Sequence, residues 1–144
     1  MKKIFGILAA AFMCGTFVAA DEVVVFDAFA KADDFMEAYD AHEKGDYEKA
    51  IELYTKSCDG KNPHSCNNLG ILYEHSPKQD YQKALKSYKK ACNMDNALGC
   101  INLGFMHEDG KGIAKSSDKA FEYFNKACGL KSQLGCDNYE RLKK

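Results

Sequence analysis

The sequence predicts an all-α fold, an α/α solenoid of about three helix-pair repeats closed by a C-terminal capping helix. Three observations predict it. After position 20 the cysteines fall as three C-x7-C pairs, Cys58/Cys66, Cys92/Cys100 and Cys128/Cys136, which recur at steps of 34 and then 36 residues. Other residues keep that step: Lys49-Ala50, Lys83-Ala84 and Lys119-Ala120; Tyr54, Tyr88 and Phe124; Asn68, Asn102 and Asn138. A period in this range marks a solenoid of supersecondary units. Within each unit the apolar spacing is helical. Ala84, Leu85, Tyr88, Ala91 and Cys92 sit at i, i+1, i+4, i+7 and i+8 on one stripe.

The chain opens with a basic Met1-Lys2-Lys3 and an apolar stretch from Ile4 to Val18, followed by Val18-Ala19-Ala20 and then Asp21-Glu22. That order reads as a secretory signal over residues 1–20, cleaved after Ala20, and predicts a secreted or periplasmic protein. Cys14 leaves with the signal, so the domain at 21–144 keeps six of the seven cysteines. Loss of Lys2 and Lys3 takes the net charge from −1 to −3. No later apolar run has the 18 or so residues of a membrane span. With 46% hydrophobic and 28% charged residues, the composition fits a globular domain and argues against disorder. The near-balanced charge argues against nucleic acid as a partner.

Asp21–Lys31, with its Val23-Val24-Val25-Phe26 run, has no partner in the repeat. Stepping back 34 residues from Leu69 and Tyr73 gives Phe35 and Tyr39, so Ala32–Lys44 reads as the first A helix. The next A helices are expected from about Cys66 to His75 and from about Cys100 to Asp109. The B helices carry Ala50 to Cys58, Ala84 to Cys92 and Ala120 to Cys128, each preceded by a residue able to cap it: Asp46, Asp80 and Ser116. Gly70 and Gly104 share a register inside A helices, where each costs about 1 kcal/mol against Ala. That repetition implies a close helix crossing. The units are then about 32–65, 66–99 and 100–135, with a charged cap at 136–144, as a solenoid end requires.

The signature Asn-Leu-Gly-x-x-Tyr/His-Glu, then Lys-Ala-x-x-x-Tyr/Phe-x-Lys-Ala-Cys, then Gly-Cys, resembles Sel1-like repeats, relatives of tetratricopeptide repeats. Gly70 to Ala84 spans 14 residues, the Sel1 spacing. The signal peptide and three C-x7-C pairs narrow the resemblance to Hcp-type cysteine-rich Sel1-repeat proteins. The first unit departs from it, lacking Asn-Leu-Gly. The second has a shortened loop at 75–79, and only the third keeps Gly110-Lys-Gly112.

Six cysteines allow 15 connectivities. Three identical local spacings favour Cys58–Cys66, Cys92–Cys100 and Cys128–Cys136, since identical units should close identically. A loop of nine residues is worth roughly 2.6 kcal/mol by chain entropy, so three weigh heavily against a typical total of about 5–15 kcal/mol. The lack of C-x-x-C argues against a redox site and against a zinc site alike. No metal and no cofactor are expected.

The resemblance also implies weak β-lactam binding or hydrolysis, the alternative to an interaction module. S-x-x-K occurs at Ser87…Lys90 and Ser116…Lys119, but S-D-N and K-T-G are absent. Ser116 reads as a helix cap and Ser87 as part of a Lys-rich outer face. The four histidines, His42, His64, His75 and His107, share no register and form no i,i+4 pair, which leaves a metallo-hydrolase unsupported. Catalytic residues therefore stay unassigned.

Solenoids bind on the concave wall lined by A helices. The inner register of tetratricopeptide units, projected here, gives Asp33, Glu37 and Asp40 from the first unit and Asn67, Ile71 and Glu74 from the second. It gives Ile101, Phe105 and Glu108 from the third, with Asp137 and Arg141 from the cap. Such a face suits a peptide or protein carrying a basic group or free amine; a β-lactam or cell-wall peptide is the alternative ligand. A monomer is expected. Phe105→Ala with Glu74→Lys should then remove binding without altering melting.

The exported protein should weigh as residues 21–144 less six hydrogens, and strong reductant should sharply lower its melting temperature. Intact-mass spectrometry and a thermal scan check both; an unchanged melting temperature would refute a structural role for the cystines.

Overall fold

The computed structural model describes residues 34–143. The signal segment 1–20, Cys14, the 21–31 stretch and Asp33 lie outside the described residues. Seven helices run along the described chain: α1 at residues 34–43, α2 Tyr47–Asp59, α3 Pro63–His75, α4 Tyr81–Asn93, α5 Ala97–Asp109, α6 Ser117–Gly129 and α7 Gln133–Leu142. There is no strand among the described residues. From α2 onward each helix packs on its chain neighbours. The A helices α3, α5 and α7 also touch across repeats, and the B helices α2, α4 and α6 hardly meet.

Capping sets where helices begin. Asp46, Asp80 and Ser116 cap α2, α4 and α6, each side chain accepting from the amide three residues on. Asn62, Asn96 and Ser132 do the same for α3, α5 and α7. The A helices therefore start three residues earlier than the cysteines imply, and Cys66, Cys100 and Cys136 lie within their first turns. Pro63 at the first helical position of α3 fits, because its missing N–H would have no helical partner there.

The repeated aromatic forms the centre of each pair. Tyr54, Tyr88 and Phe124 are wholly buried, each contributing about 1.5–3 kcal/mol by area. Gly70 lies under the Tyr88 ring and Gly104 under Phe124, where an added Cβ would stand 2.5 and 2.7 Å from ring carbons. The two helical glycines thus mark the close crossing that their register implies.

The three cystines pair as expected, Cys58–Cys66, Cys92–Cys100 and Cys128–Cys136, with Cα–Cα separations of 4.7, 4.5 and 4.4 Å. Such short spans bring whole backbones together beside the sulfurs. A Cβ on Gly99 would lie 2.5 Å from Ala91 Cβ, and one on Gly135 2.6 Å from Ala127 Cβ. At the first junction Ser57 and Ser65 hold these positions and hydrogen-bond at 2.6 Å. Each junction turns through one left-handed residue: Lys61, Asp95 or Lys131.

Gly70→Ala should lower stability by about 1–3 kcal/mol through overpacking, although Ala is the better helix former. Gly129→Ala meets nothing within 4 Å and should be neutral or stabilise by up to about 1 kcal/mol. Denaturant melts of the two variants check the contrast.

Candidate functional site

On α5, residues Leu98, Ile101, Phe105 and Glu108 follow i, i+3, i+7 and i+10 and share one face. Leu98 is half exposed and Phe105 about a third, with Phe105 edge-on to Phe124 at 5.1 Å between centroids. Leu134 repeats the Leu98 register on α7 and is also half exposed. Ile71 on α3 is partly buried against the core beneath this face. Leu98 and Leu134 were missed in the sequence, although each lies one turn before a residue projected onto the face, Ile101 or Asp137.

The projected residues differ widely in exposure. Glu37, Asp40, Phe105 and Asp137 are exposed and Glu108 is half-buried. Ile101 is 2% exposed and belongs to the core; Asn67 is buried and accepts a hydrogen bond from Asn102 Nδ2 at 2.9 Å, tying α3 to α5. These two support the face from beneath and do not present side chains on it. Asp33 lies outside the described residues.

Glu74 departs most from its expected role. It is buried, accepts from Tyr88 Oη at 2.9 Å and from Lys111 Nζ at 3.0 Å, and lies 3.6 Å from His75 Nε2. Burial, reinforced by the Glu74 charge, pushes the Tyr88 phenol far above its ordinary value, so it remains a donor. Lys111 comes from the Gly110–Gly112 turn, whose glycines both adopt left-handed φ. Its Nζ reaches back to the preceding repeat. Glu108, the next residue in register, accepts from Arg141 Nη1 and Nη2 at 2.8 and 2.7 Å. Those bonds hold its carboxyl below the usual value. Exposed carboxylates pair as well, Glu37 with Lys49 and Asp40 with Lys44. The face is therefore less acidic than its carboxylate count.

Neither S-x-x-K serine receives its lysine's side-chain amine. Ser116 caps α6 while Lys119 Nζ bonds Glu122. Lys90 Nζ bonds Asp59 at 2.6 Å. Ser87 corrects the sequence reading: it is buried, not on an outer face. His107 is also buried. It stacks on Tyr123 at 5.4 Å, its Nδ1 has no partner among the described residues, and burial, then Lys119, lowers its pKa. No cluster of three or more His, Cys, Asp or Glu among the described residues could hold a metal.

The Sel1 repeat family matches residues 40–62, 63–96 and 97–132. Among solved structures, cysteine rich protein B (hcpB) of Helicobacter pylori is similar, with 33% identity over 62% of this chain and 69% of that one and a TM-score of 0.58. A Sel1 repeat protein from Oxalobacter formigenes shares 21% identity over 76% and 47% of the two chains, at a TM-score of 0.67. The Sgt2 tetratricopeptide domain from Aspergillus fumigatus shares 22% over 79% and 77%, at 0.59. These last two likenesses are of fold. No curated protein matches the chain.

Because Glu74 holds buried partners, Glu74→Lys should cost about 2–3 kcal/mol, against the unchanged melting that the sequence alone implies. Arg141→Ala breaks an exposed pair and should cost under about 1 kcal/mol. Thermal unfolding of each variant measures the difference.

Proposed function

The chain belongs to the Sel1 repeat family, and on that premise we propose that it is an exported interaction module whose A-helix face receives an extended peptide or protein segment. The observation that carries this reading is the row of apolar side chains, Leu98, Phe105 and Leu134, left exposed on α5 and α7. Apolar groups in register on neighbouring repeats offer regularly spaced anchors to an extended chain, which is how solenoid faces bind. The carboxylates of Glu37 and Asp40 on α1, Glu108 on α5 and Asp137 on α7 favour a partner with a basic group, though most already have a cationic neighbour.

Export rests on two supports. Three disulfides in so small a domain belong to an oxidising compartment, and a signal with cleavage after Ala20 is legible at 1–20. No helix among the described residues is long and apolar enough to cross a membrane. We place the protein in the periplasm or outside the cell. β-Lactam hydrolysis has no comparable support, since Lys90 and Lys119 are engaged with carboxylates.

Selecting a random peptide library on the oxidised protein should yield sequences with spaced apolar residues. Leu98→Glu and Phe105→Ala should each weaken them at least tenfold by titration without changing the fold by circular dichroism. Peptides indifferent to both substitutions would refute the assignment of this face.

A further inference from the structure

Because the B helices hardly meet, a cleft of about 260 Å³ lies between α2 and α4, with the A helix α3 as its floor. Leu69 and Tyr73 form that floor, and Lys83, Lys86 and Lys90 stand along one wall at i, i+3 and i+7 of α4. Lys83 Nζ lies 5.3 Å above the Tyr73 ring and 3.6 Å from Asp80. Lys90 bonds Asp59, the only carboxylate among the described residues that line the cleft. No carboxylate among the described residues lies within 4 Å of Lys86. Like charges one turn apart repel one another on a helix.

The next repeat shows what makes this cleft. The position of Ser87 is taken there by Tyr123, that of Lys86 by Glu122 and that of Tyr73 by His107. Tyr123 stacks on His107 at the corresponding position, and Glu122 pairs with Lys119 at 2.7 Å. The same architecture thus carries a stacked aromatic pair and a carboxylate between α4 and α6, where between α2 and α4 it carries Ser87 and Lys86, the one wall lysine with no carboxylate within 4 Å among the described residues. Of these three differences, the small residue at 87 and the cation at 86 are the two that leave the cleft open and add an unpaired charge.

We propose that the α2–α4 cleft binds a small organic anion, a carboxylate or phosphate carried on an apolar body. The anionic group sits among Lys83, Lys86 and Lys90, and the apolar body lies on Leu69 and Tyr73. The volume is below that of a drug-sized pocket, which limits the occupant to a fragment of about ten to fifteen heavy atoms. Such a ligand binds at about 1 mM by the usual return per atom. The site is separate from the A-helix face and independent of that reading.

The test follows amide shifts of the oxidised, full domain on titration with 3-phenylpropionate, phenyl phosphate and the neutral 3-phenylpropanol. Saturable shifts in α2, α4 and around Tyr73 are expected with at least one anion. The anion that saturates identifies the preferred charged group. Ser87→Tyr and Lys86→Glu, each borrowed from the next repeat, should weaken binding at least tenfold, and Phe105→Ala should leave it unchanged. Lys86 is exposed, so Lys86→Glu carries the test even where Ser87→Tyr perturbs folding. Saturation by neither anion below about 10 mM, ten times the affinity expected for such a fragment, would overturn the proposal. Equal binding of the alcohol, or full binding by Lys86→Glu, would also do so.

Discussion

At each junction the end of a B helix meets the start of the next A helix, with cystine Cα atoms under 5 Å apart. The rest of the structure depends on that contact. Two helices can approach so closely only where side chains nearly vanish, hence Ala91 against Gly99 and Ala127 against Gly135. The cystine and the small pair lie side by side in sequence and enforce one geometry by different means, one covalent and one steric. Ser57 and Ser65 show that a third solution works, in which two slightly larger groups satisfy each other by hydrogen bonding. With the junction fixed, the angle between successive pairs is fixed, and the A helices are brought together into one layer.

That layer is held by polar contacts between repeats as well as by its apolar core. Asn102 reaches Asn67, Lys111 reaches Glu74 and Arg141 reaches Glu108. Each link spans roughly one repeat. Of the two carboxylates Glu74 is the more deeply set, and it holds the phenol of Tyr88 and the ammonium of Lys111 at once. The carboxylates that make the face look acidic in one dimension are thus partly structural. Leu98, Phe105 and Leu134 are the exposed apolar groups on α5 and α7.

Much of the fold was legible because it rests on local chemistry. Asp46, Asp80 and Ser116 cap helices through their own side chains, and Gly70 and Gly104 announce a crossing by their absence of bulk. The A-helix starts were read three residues late because the cysteines were the louder signal, although Asn62 and Pro63 state the boundary. The face was harder. Ile101 and Asn67 are removed from it by packing between α3 and α5, and Glu74 by a lysine 37 residues away. A helical register shows which residues share a side of one helix. It does not show how much of that side the next repeat covers. Ser87 was misplaced for the same reason, since the gap between α2 and α4 exists only once α3 lies beneath both.

Every cystine closes within a single junction, across eight positions of sequence. Oxidation therefore demands no long-range search among partners. As the chain emerges in order during synthesis, each cysteine is followed by its mate before the next pair appears. Local contacts of this kind form quickly, and the slow reshuffling of mispaired thiols has little to correct. A whole unit can also be duplicated or deleted by recombination without orphaning a single thiol, so the number of repeats is free to change while the redox chemistry of the chain remains balanced.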